Sequence, residues 1–234
     1  MKILSLDLAY KNFKDNGIVI FDLSSSRISA KNIRWDNELI KSASQLVDRL
    51  GPILKTESID YLGIDGPQAW KDENNGFQHA RVCEVQAHTP SKTGTFATGK
   101  PKNYLPFISF SIEVFNYLEE LGYTRFSGTL KPKNVMEVFP YRSWRNCLYK
   151  PLSAKSKCSK SEIEEKFEEF KKREHIEFSF QPNHDELQAT IAGSGLIRLA
   201  KGDMDKVEIA GIPPFRKDGI WLEGFIVLPT EISQ

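Results

Sequence analysis

Short apolar segments separated by polar turns dominate the first third of the chain. Residues 2–8, 17–23 and 27–35 are rich in large and β-branched apolar residues, and the polar stretches KNFKDN and SSS separate them. Segments of this length joined by short turns predict three β-strands in a consecutive antiparallel meander. The first of these strands carries an acid, Asp7, within an otherwise apolar run. A buried lone carboxylate is costly, so Asp7 indicates either a cationic partner or a site at the strand end.

A helix and a returning strand are predicted after the meander. Asp36 is the predicted N-cap and Gly51-Pro52 the predicted end of the helix. Its apolar face at helical spacing is Leu39, Ala43, Leu46, Val47 and Leu50. Residues 58–65 then form a short apolar run that predicts a fourth strand ending at Asp65. This order of elements predicts an α/β layer around a mixed sheet.

The rest of the chain alternates between helical and strand patterns. The predicted elements are a short helix at 79–88, an amphipathic helix at 106–122, a strand at 134–140 that contains Glu137, a charged helix at 159–174, a helix of small and apolar residues from Asp185, and a closing strand or hairpin at 219–229. A long Lys/Thr/Gly loop precedes the amphipathic helix. We predict one domain over residues 1–234, with insertions at about 88–104 and 150–180.

Composition narrows the class of protein. The chain is 40% hydrophobic and 27% charged, which is typical of a soluble globular protein. Its apolar runs are shorter than a membrane span and no leader pattern is present, so the sequence predicts a cytoplasmic protein without membrane contact. The three cysteines, Cys83, Cys147 and Cys158, form neither a CxxC pair nor a zinc motif, which predicts reduced thiols.

The net charge of +1 conceals an uneven distribution along the chain. Residues 85–161 contain 12 Lys and Arg against four acids, a net charge of +8, and the remainder carries −7. Aromatic residues are interleaved with these cations: Tyr104, Tyr141, Trp144 and Tyr149. Such a segment can bind a polyanion by phosphate neutralisation and base stacking. It can equally be a solvated surface balanced by acidic neighbours.

Four acids stand at predicted strand or helix ends beside apolar runs: Asp7, Asp65, Glu137 and Asp185. Each has a structural alternative. Asp7 could bond loop amides, and Asp65 could be the turn residue of the DGP sequence. Glu137 could pair with Arg142 or Arg145. Asp185 could be a helix-terminal acid favoured by the dipole, with Asn183 as the cap.

Convergence of these acids would require a cation. Several carboxylates within a few ångströms repel strongly, and a hard divalent ion such as Mg²⁺ or Mn²⁺ relieves that repulsion. Two such ions about 4 Å apart activate water and stabilise the leaving oxygen of a phosphoryl displacement. The sequence contains no GxxxxGK[ST], GxSxG, HExxH or GxGxxG motif that would indicate another chemistry.

The order of these motifs resembles the ribonuclease-H-like superfamily, including RuvC-type resolvases. The series LSLD, GIDGPQAW, ARVCE, EVFPYRSW, HDELQATIAG and EGFIVLP is similar to a family of proteins predicted to be nucleases with this fold. The resemblance implies a ribonuclease-H-like mixed five-stranded sheet with flanking helices. It also implies Asp7, Asp65, Glu137 and Asp185 as the catalytic and metal-binding positions. Asp65 departs from the glutamate of RuvC-like enzymes, and LDLAY lacks the glycine that often follows the first aspartate.

Further residues are candidates for the chemistry of such a site. His184, beside Asp185, could act as a general base or could be a helix-cap histidine. Arg81, Arg142 and Arg145 are candidate phosphate contacts, because an arginine can clamp a phosphate bidentately. Arg81 could instead neutralise Glu84 and other nearby acids. Lys100 and Lys102, on the Lys/Thr/Gly loop, are further candidates for substrate binding.

The function predicted from these observations is a divalent-metal-dependent nuclease that hydrolyses phosphodiester bonds of DNA or RNA. Two alternatives remain open: a non-catalytic module that binds nucleic acid or protein, and a phosphotransferase of the actin-like fold. The actin-like alternative normally requires two duplicated domains and a glycine-rich phosphate hairpin, and DLAYKNFKDNG is a poor example of that hairpin. The sequence is compatible with a homodimer.

Overall fold

Strands from every part of the chain build the sheet. In the computed structural model, which describes residues 1–231, the strands are β1 (Lys2–Asp7), β2 (Gly17–Asp22), β3 (Ile28–Ile33), β4 (Tyr61–Asp65), β5 (Lys92–Thr93), β6 (Gly99–Lys100), β7 (Thr124–Arg125), β8 (Asn134–Val138), β9 (Ile176–Phe178), β10 (Val207–Lys217) and β11 (Ile220–Pro229). The helices are α1 (Ala43–Thr56), α2 (Val82–Gln86), α3 (Leu105–Glu120), α4 (Pro140–Asn146), α5 (Lys160–Glu174) and α6 (His184–Lys201). A 3-10 turn at Lys102–Tyr104 precedes α3.

The main sheet is mixed, as predicted. Its strand order is β10-β11-β8-β4-β1-β2-β3-β9, with β7 paired to β8, and it has nine strands. The meander β1-β2-β3 is antiparallel, whereas β4 and β8 run parallel to β1. The predicted five-stranded core is present as β3-β2-β1-β4-β8, and the closing segment is a hairpin, β10-β11, that extends one edge. The parallel strands β1, β4 and β8 therefore end together at one edge.

The predicted start and end of the first helix were wrong. Residues after β3 stay extended because they bond the loop after β1: the amide of Phe13 donates to the carbonyl of Glu38, and that of Ile40 to the carbonyl of Lys11. Ser42, not Asp36, is the N-cap, and its hydroxyl accepts from the amide of Gln45. The helix continues through Pro52 to Thr56, burying Leu54, while Leu39 is 67% exposed instead of lying on the buried face.

Six elements were not predicted: strands β5, β6, β7, β9 and β10 and helix α4. Helix α4 begins at Pro140, a residue favoured in a first helical turn, and buries Trp144. Strand β9 is only three residues long and pairs in parallel with β3. The second predicted insertion therefore contributes a strand to the sheet edge as well as the charged helix α5.

Helices cover both faces of the sheet. On one face, side chains that include Ile3, Val19 and Val138 pack against α4, α5 and α6. On the other face, Leu4, Leu6 and their neighbours pack against α1 and α3. Because side chains alternate along a strand, Asp7 points to the same face as Ile3, towards α6.

Gly17 allows α6 to approach the sheet. A Cβ atom on Gly17 would lie 2.1 Å from the carbonyl oxygen of Asp185 and 2.7 Å from the amide nitrogen of Glu186. Gly17 is also the cross-strand partner of Asp7. The absent side chain at this position thus brings the N-terminus of α6, with Asp185, beside the end of β1.

Substitution of Gly17 by Ala should therefore displace α6. Both contacts are to backbone atoms, which cannot rotate away, so we expect a loss of about 1–3 kcal/mol in the free energy of unfolding, typical of overpacking. Urea denaturation measures this change. Gly51→Ala in α1 is the control: its Cβ would lie 3.4 Å from its nearest neighbour, and a helical alanine is favoured, so stability should stay equal or rise.

Candidate metal centre

Asp7 and Asp65 lie side by side at the ends of adjacent parallel strands. Asp7 is the last residue of β1, Asp65 is the last residue of β4, and the two are direct partners in the register. Paired residues of neighbouring strands project to the same face of a sheet, and the two carboxyl groups share a hydrogen bond. A hydrogen bond between two carboxyl groups requires that one of them holds a proton.

The surroundings raise the pKa of both groups. Burial, followed by the charges of Asp65 and Asp185, raises the pKa of Asp7 well above its usual range, and Lys155 opposes this shift. Burial raises the pKa of Asp65 to about 7; the hydrogen bond from Asp7 opposes the shift and the charge of Glu137 adds to it. Ionisation of both neighbouring carboxyl groups in this environment is unfavourable without a cation.

Asp185 reaches the pair from the N-terminus of α6. Asn183 caps the helix by accepting from the amide of Glu186, and the side chain of Glu186 accepts in return from the amide of Asn183, which completes a capping box. The predicted cap is thus confirmed. Asp185 is the second residue of the helix and is buried. Its charge raises the pKa of Asp7, and both residues line the same cavity.

Lys155 supplies the positive charge beside these acids. Its Nζ atom lies 2.5 Å from Asp185 Oδ2 and 2.9 Å from Asp15 Oδ1. The side chain is 53% exposed, and it belongs to the irregular segment between α4 and α5. No pattern around Lys155 indicated this role; its one sequence signal was membership of the basic segment 85–161.

The side chain of Glu137 projects from the opposite face of the sheet to the side chains of Asp7 and Asp65. Its strand partner is Ile64, one residue before Asp65, so alternation points it to the opposite face from Asp7 and Asp65. Both of its oxygens accept from Arg81, at 2.8 Å each, and Oε2 also accepts from the amide of Gln68. Glu137 therefore pairs with Arg81, not with Arg142 or Arg145. Glu137 as a metal ligand stays a prediction that requires Arg81 to release it.

Arg81 is fully buried between two glutamates. Its guanidinium also donates to Glu84 Oε1, and Glu84 accepts from the amides of Arg81 and Thr93. The neutralising arrangement considered from the sequence is therefore present. Arg81 still lines the same cavity as Asp7 and Asp65. Its part in phosphate binding stays a prediction.

Loss of the Arg81 guanidinium should be strongly destabilising. In Arg81→Met, Glu84 and Glu137 stay buried without their cation, so we expect the free energy of unfolding to fall by about 3–5 kcal/mol. Chemical denaturation at neutral pH measures this loss. Arg27→Met removes an exposed ion pair to Glu177 and should leave stability nearly unchanged.

The acids form the floor of a cavity of about 610 Å³. Its wall includes the loop after β1, residues 89–93 of the predicted loop insertion, and the start of α3. The lining includes three aromatic rings, Tyr10, Tyr104 and Phe107, and the cations Lys11, Lys92 and Lys155. The cavity has the size of a small-ligand site.

Five predicted site residues do not line this cavity. Lys100 and Lys102 are exposed on or next to the β5-β6 hairpin. Arg142 and Arg145 lie on α4, and Arg145 packs over the ring of Tyr141. The ring of His184 has Nδ1 at 3.1 Å from Asp185 Oδ1 and Nε2 at 3.1 Å from the carbonyl oxygen of Ser153, to which it donates. This donation favours the helix-cap interpretation of His184; its role as a base stays a prediction.

The donor set at Asp7 and Asp65 suits a hard divalent cation. Both carboxyl groups reach the cavity, and carboxylate oxygens are preferred ligands of Mg²⁺ and Mn²⁺. Asp185 is a third donor, but Lys155 holds it. Within residues 1–231, the one group of three ligand atoms within 4.8 Å of each other is Cys147, Glu174 and Glu231. Arg198 forms ion pairs with both glutamates of that group.

The fold is similar to the ribonuclease-H-like class: it has the strand order β3-β2-β1-β4-β8, an antiparallel meander, parallel strands β1, β4 and β8, and helices on both faces. Among solved structures, RuvC of Thermus thermophilus matches with a TM-score of 0.42 and 9% identity, covering 86% of this chain and 97% of that chain. T. thermophilus RuvC in complex with a Holliday junction substrate matches with a TM-score of 0.39 and 11% identity, covering 86% and 96%. No protein-family model and no curated sequence matches the chain.

Helix length and polarity bear on the membrane prediction. Across the part of the chain that the structure describes, none of the helices combines the length and apolarity needed to cross a bilayer. The cytoplasmic location and the homodimer stay predictions.

Proposed function

We propose that the protein is a divalent-metal-dependent nuclease that hydrolyses phosphodiester bonds of nucleic acid. The observation that carries the proposal is the pairing of Asp7 and Asp65, two neighbouring carboxyl groups whose pKa values burial raises, on the floor of an accessible cavity. A fold that needed only stability would gain nothing from this arrangement. Perturbed acids in a cleft are typical of functional sites.

In this proposal Asp7, Asp65 and Asp185 hold Mg²⁺ or Mn²⁺. The bound ion supplies a nucleophilic water at neutral pH and neutralises charge on the phosphate. The carboxylates fix the position of the site at the strand ends, where the rigid sheet holds Asp7 and Asp65 in register. Lys155, once released by Asp185, can bind a non-bridging phosphate oxygen, because its ammonium group is half-exposed and lines the cavity.

Nucleic acid is the favoured substrate because of the charge at the cavity. The basic segment 85–161 contributes Lys92 and Lys155 to the lining, and Lys100 and Lys102 lie exposed on the adjoining hairpin and turn. Cations arranged around an acidic centre attract a phosphate chain, and the metal neutralises the centre itself.

Cleavage of labelled single-stranded, duplex and branched DNA and RNA, with Mg²⁺, with Mn²⁺ and with chelator, tests this function. We expect metal-dependent cleavage that Asp7→Asn reduces by more than about a hundredfold, beyond the effect typical of residues outside the coordination sphere. Asp22→Asn, at the far end of β2, is the matched control and should cleave normally. Equal cleavage by Asp7→Asn would remove Asp7 from the mechanism. Binding without cleavage of any substrate would favour the non-catalytic module.

A further inference from the structure

An aromatic wall stands over the paired aspartates. We define this wall as Tyr10, Tyr104 and Phe107. The ring of Phe107 packs edge-on against Tyr104 at 5.5 Å between centroids and against Tyr10 at 6.0 Å. All three side chains line the cavity that has Asp7 and Asp65 on its floor.

The wall is not simply part of the core. Tyr104 is 43% exposed and lies on the 3-10 turn that leads into α3, at the boundary between the cavity and solvent. The ring of Tyr104 is therefore accessible from solvent and is supported by its contact with Phe107. Aromatic side chains held in this way are stacking platforms for nucleic-acid bases.

The wall shares its cavity with the acids, because Tyr104, Asp7 and Asp65 all line it. Burial raises the pKa of Tyr104, and the charges of Asp65 and Asp7 raise it further, which agrees with this placement. A molecule that stacks on the wall would therefore share the cavity with Asp7 and Asp65.

The cavity lining is also polar and cationic. Residues 89–93 line the cavity, Ser91 forms a hydrogen bond with the side chain of Tyr104, and the Nζ atom of Lys92 donates to the carbonyl of Glu84 and to Thr89. Lys155 stands on the acid side. The cavity thus offers an aromatic surface, two cations and a metal-binding floor, which match the base and the phosphates of a nucleotide.

The volume limits what can enter. About 610 Å³ falls in the range of small-molecule sites, whereas a paired duplex presents its bases only inside the stack. Enzymes that must reach a nucleotide in such a pocket act on single strands or extrude the nucleotide. Extrusion from a duplex costs free energy for unpairing and unstacking, and an unpaired strand avoids this cost.

We propose that the aromatic wall stacks the base of an unpaired nucleotide, so that the substrate is single-stranded nucleic acid or an unpaired strand end. This inference deepens the proposed nuclease function, because it places the adjoining phosphodiester over Asp7 and Asp65. The stacking itself requires no cleavage and can be measured without it.

Equilibrium binding of a fluorescent single-stranded oligonucleotide, in chelator and in Ca²⁺, tests the inference. Tyr104→Leu should weaken binding by roughly five- to a hundredfold, the effect of losing one stacked base. Tyr104→Phe keeps the ring and should bind as the wild type does. Phe215→Leu is the matched control, because Phe215 is 37% exposed but does not line the cavity.

A second set of measurements changes the oligonucleotide instead of the protein. A strand of abasic sites should bind the wild type as weakly as the normal strand binds Tyr104→Leu. A blunt duplex should bind weakly to the wild type and to Tyr104→Leu. Equal binding of abasic and normal strands, equal binding of duplex and single strand, or no oligonucleotide binding at all would overturn the inference. Stacking without cleavage would refute the proposed nuclease function and leave the stacking inference intact. Cleavage that Tyr104→Leu does not affect would refute the stacking inference and leave the nuclease function intact.

Discussion

Asp65→Asn should make the ion-free protein more stable at about pH 8 and, at the same time, abolish cleavage. Burial raises the pKa of Asp65 to about 7, far above its value in the unfolded chain. An amide at this position carries no charge at any pH, so the variant avoids the cost of a buried ion next to Asp7. A merely structural aspartate would show the opposite sign.

The sign follows from proton linkage. Between about pH 4 and pH 7 the folded wild type holds a proton on Asp65 that the unfolded chain has lost, so its stability falls as pH rises. The stabilising contribution of the protonated group is complete below the unfolded pKa and is lost as pH passes the folded pKa. We therefore expect similar stability for wild type and variant near pH 4, and a gap of a few kcal/mol, to order of magnitude, near pH 8.

Urea denaturation across this pH range, in chelator, measures the gap. Asp22→Asn is a control of opposite sign, since the hydrogen bond from Ser24 lowers the pKa of Asp22 and its charge is favoured in the folded state. Mn²⁺ should stabilise the wild type in proportion to its binding and should have little effect on Asp65→Asn. A loss of stability in Asp65→Asn at high pH would contradict the account of this site.

Lys155→Met should bind divalent ions more tightly and nucleic acid more weakly. Lys155 holds Asp185 by a charge-assisted hydrogen bond, and an ion that recruits Asp185 must break it. Such bonds contribute about 1.5–3 kcal/mol, so we expect Mn²⁺ affinity to rise by about tenfold or more. The phosphate contact proposed for Lys155 is lost in the same variant, which should weaken oligonucleotide binding and reduce its salt dependence.

Calorimetric titration with Mn²⁺ and binding of a labelled oligonucleotide measure these two effects separately. Lys157→Met removes an exposed lysine two residues further along the same segment and should leave the Mn²⁺ affinity unchanged. Unchanged or weaker Mn²⁺ binding in Lys155→Met would show that the lysine does not compete with the ion for Asp185.

The paired aspartates were predictable because they depend on local pattern and simple topology. Each stands at the end of a short apolar strand, and a strand returning after a helix runs parallel to the first. The cap at Asn183 was equally local, since the capping box lies within four residues. Short-range signals of this kind were enough to predict the mixed sheet and the position of Asp185 at the start of a helix.

Contacts between distant segments could not be predicted. Glu137 pairs with Arg81, 56 residues earlier, although Arg142 and Arg145 are nearer in sequence. Lys155 reaches Asp185 from an irregular segment that has no periodicity to reveal its direction. The start of α1 was misplaced for a related reason, because residues 37–41 bond the loop after β1 instead of continuing a helix. In each case the partner is chosen by the tertiary structure.

Anomalous diffraction from a crystal soaked with Mn²⁺ tests the central claim most directly. We predict an anomalous peak between the carboxyl groups of Asp7 and Asp65, with Asp185 turned away from Lys155 to complete the ligand set. An ordered crystal with no peak at this pair, or with Mn²⁺ bound only at other acids such as Glu174 and Glu231, would contradict it.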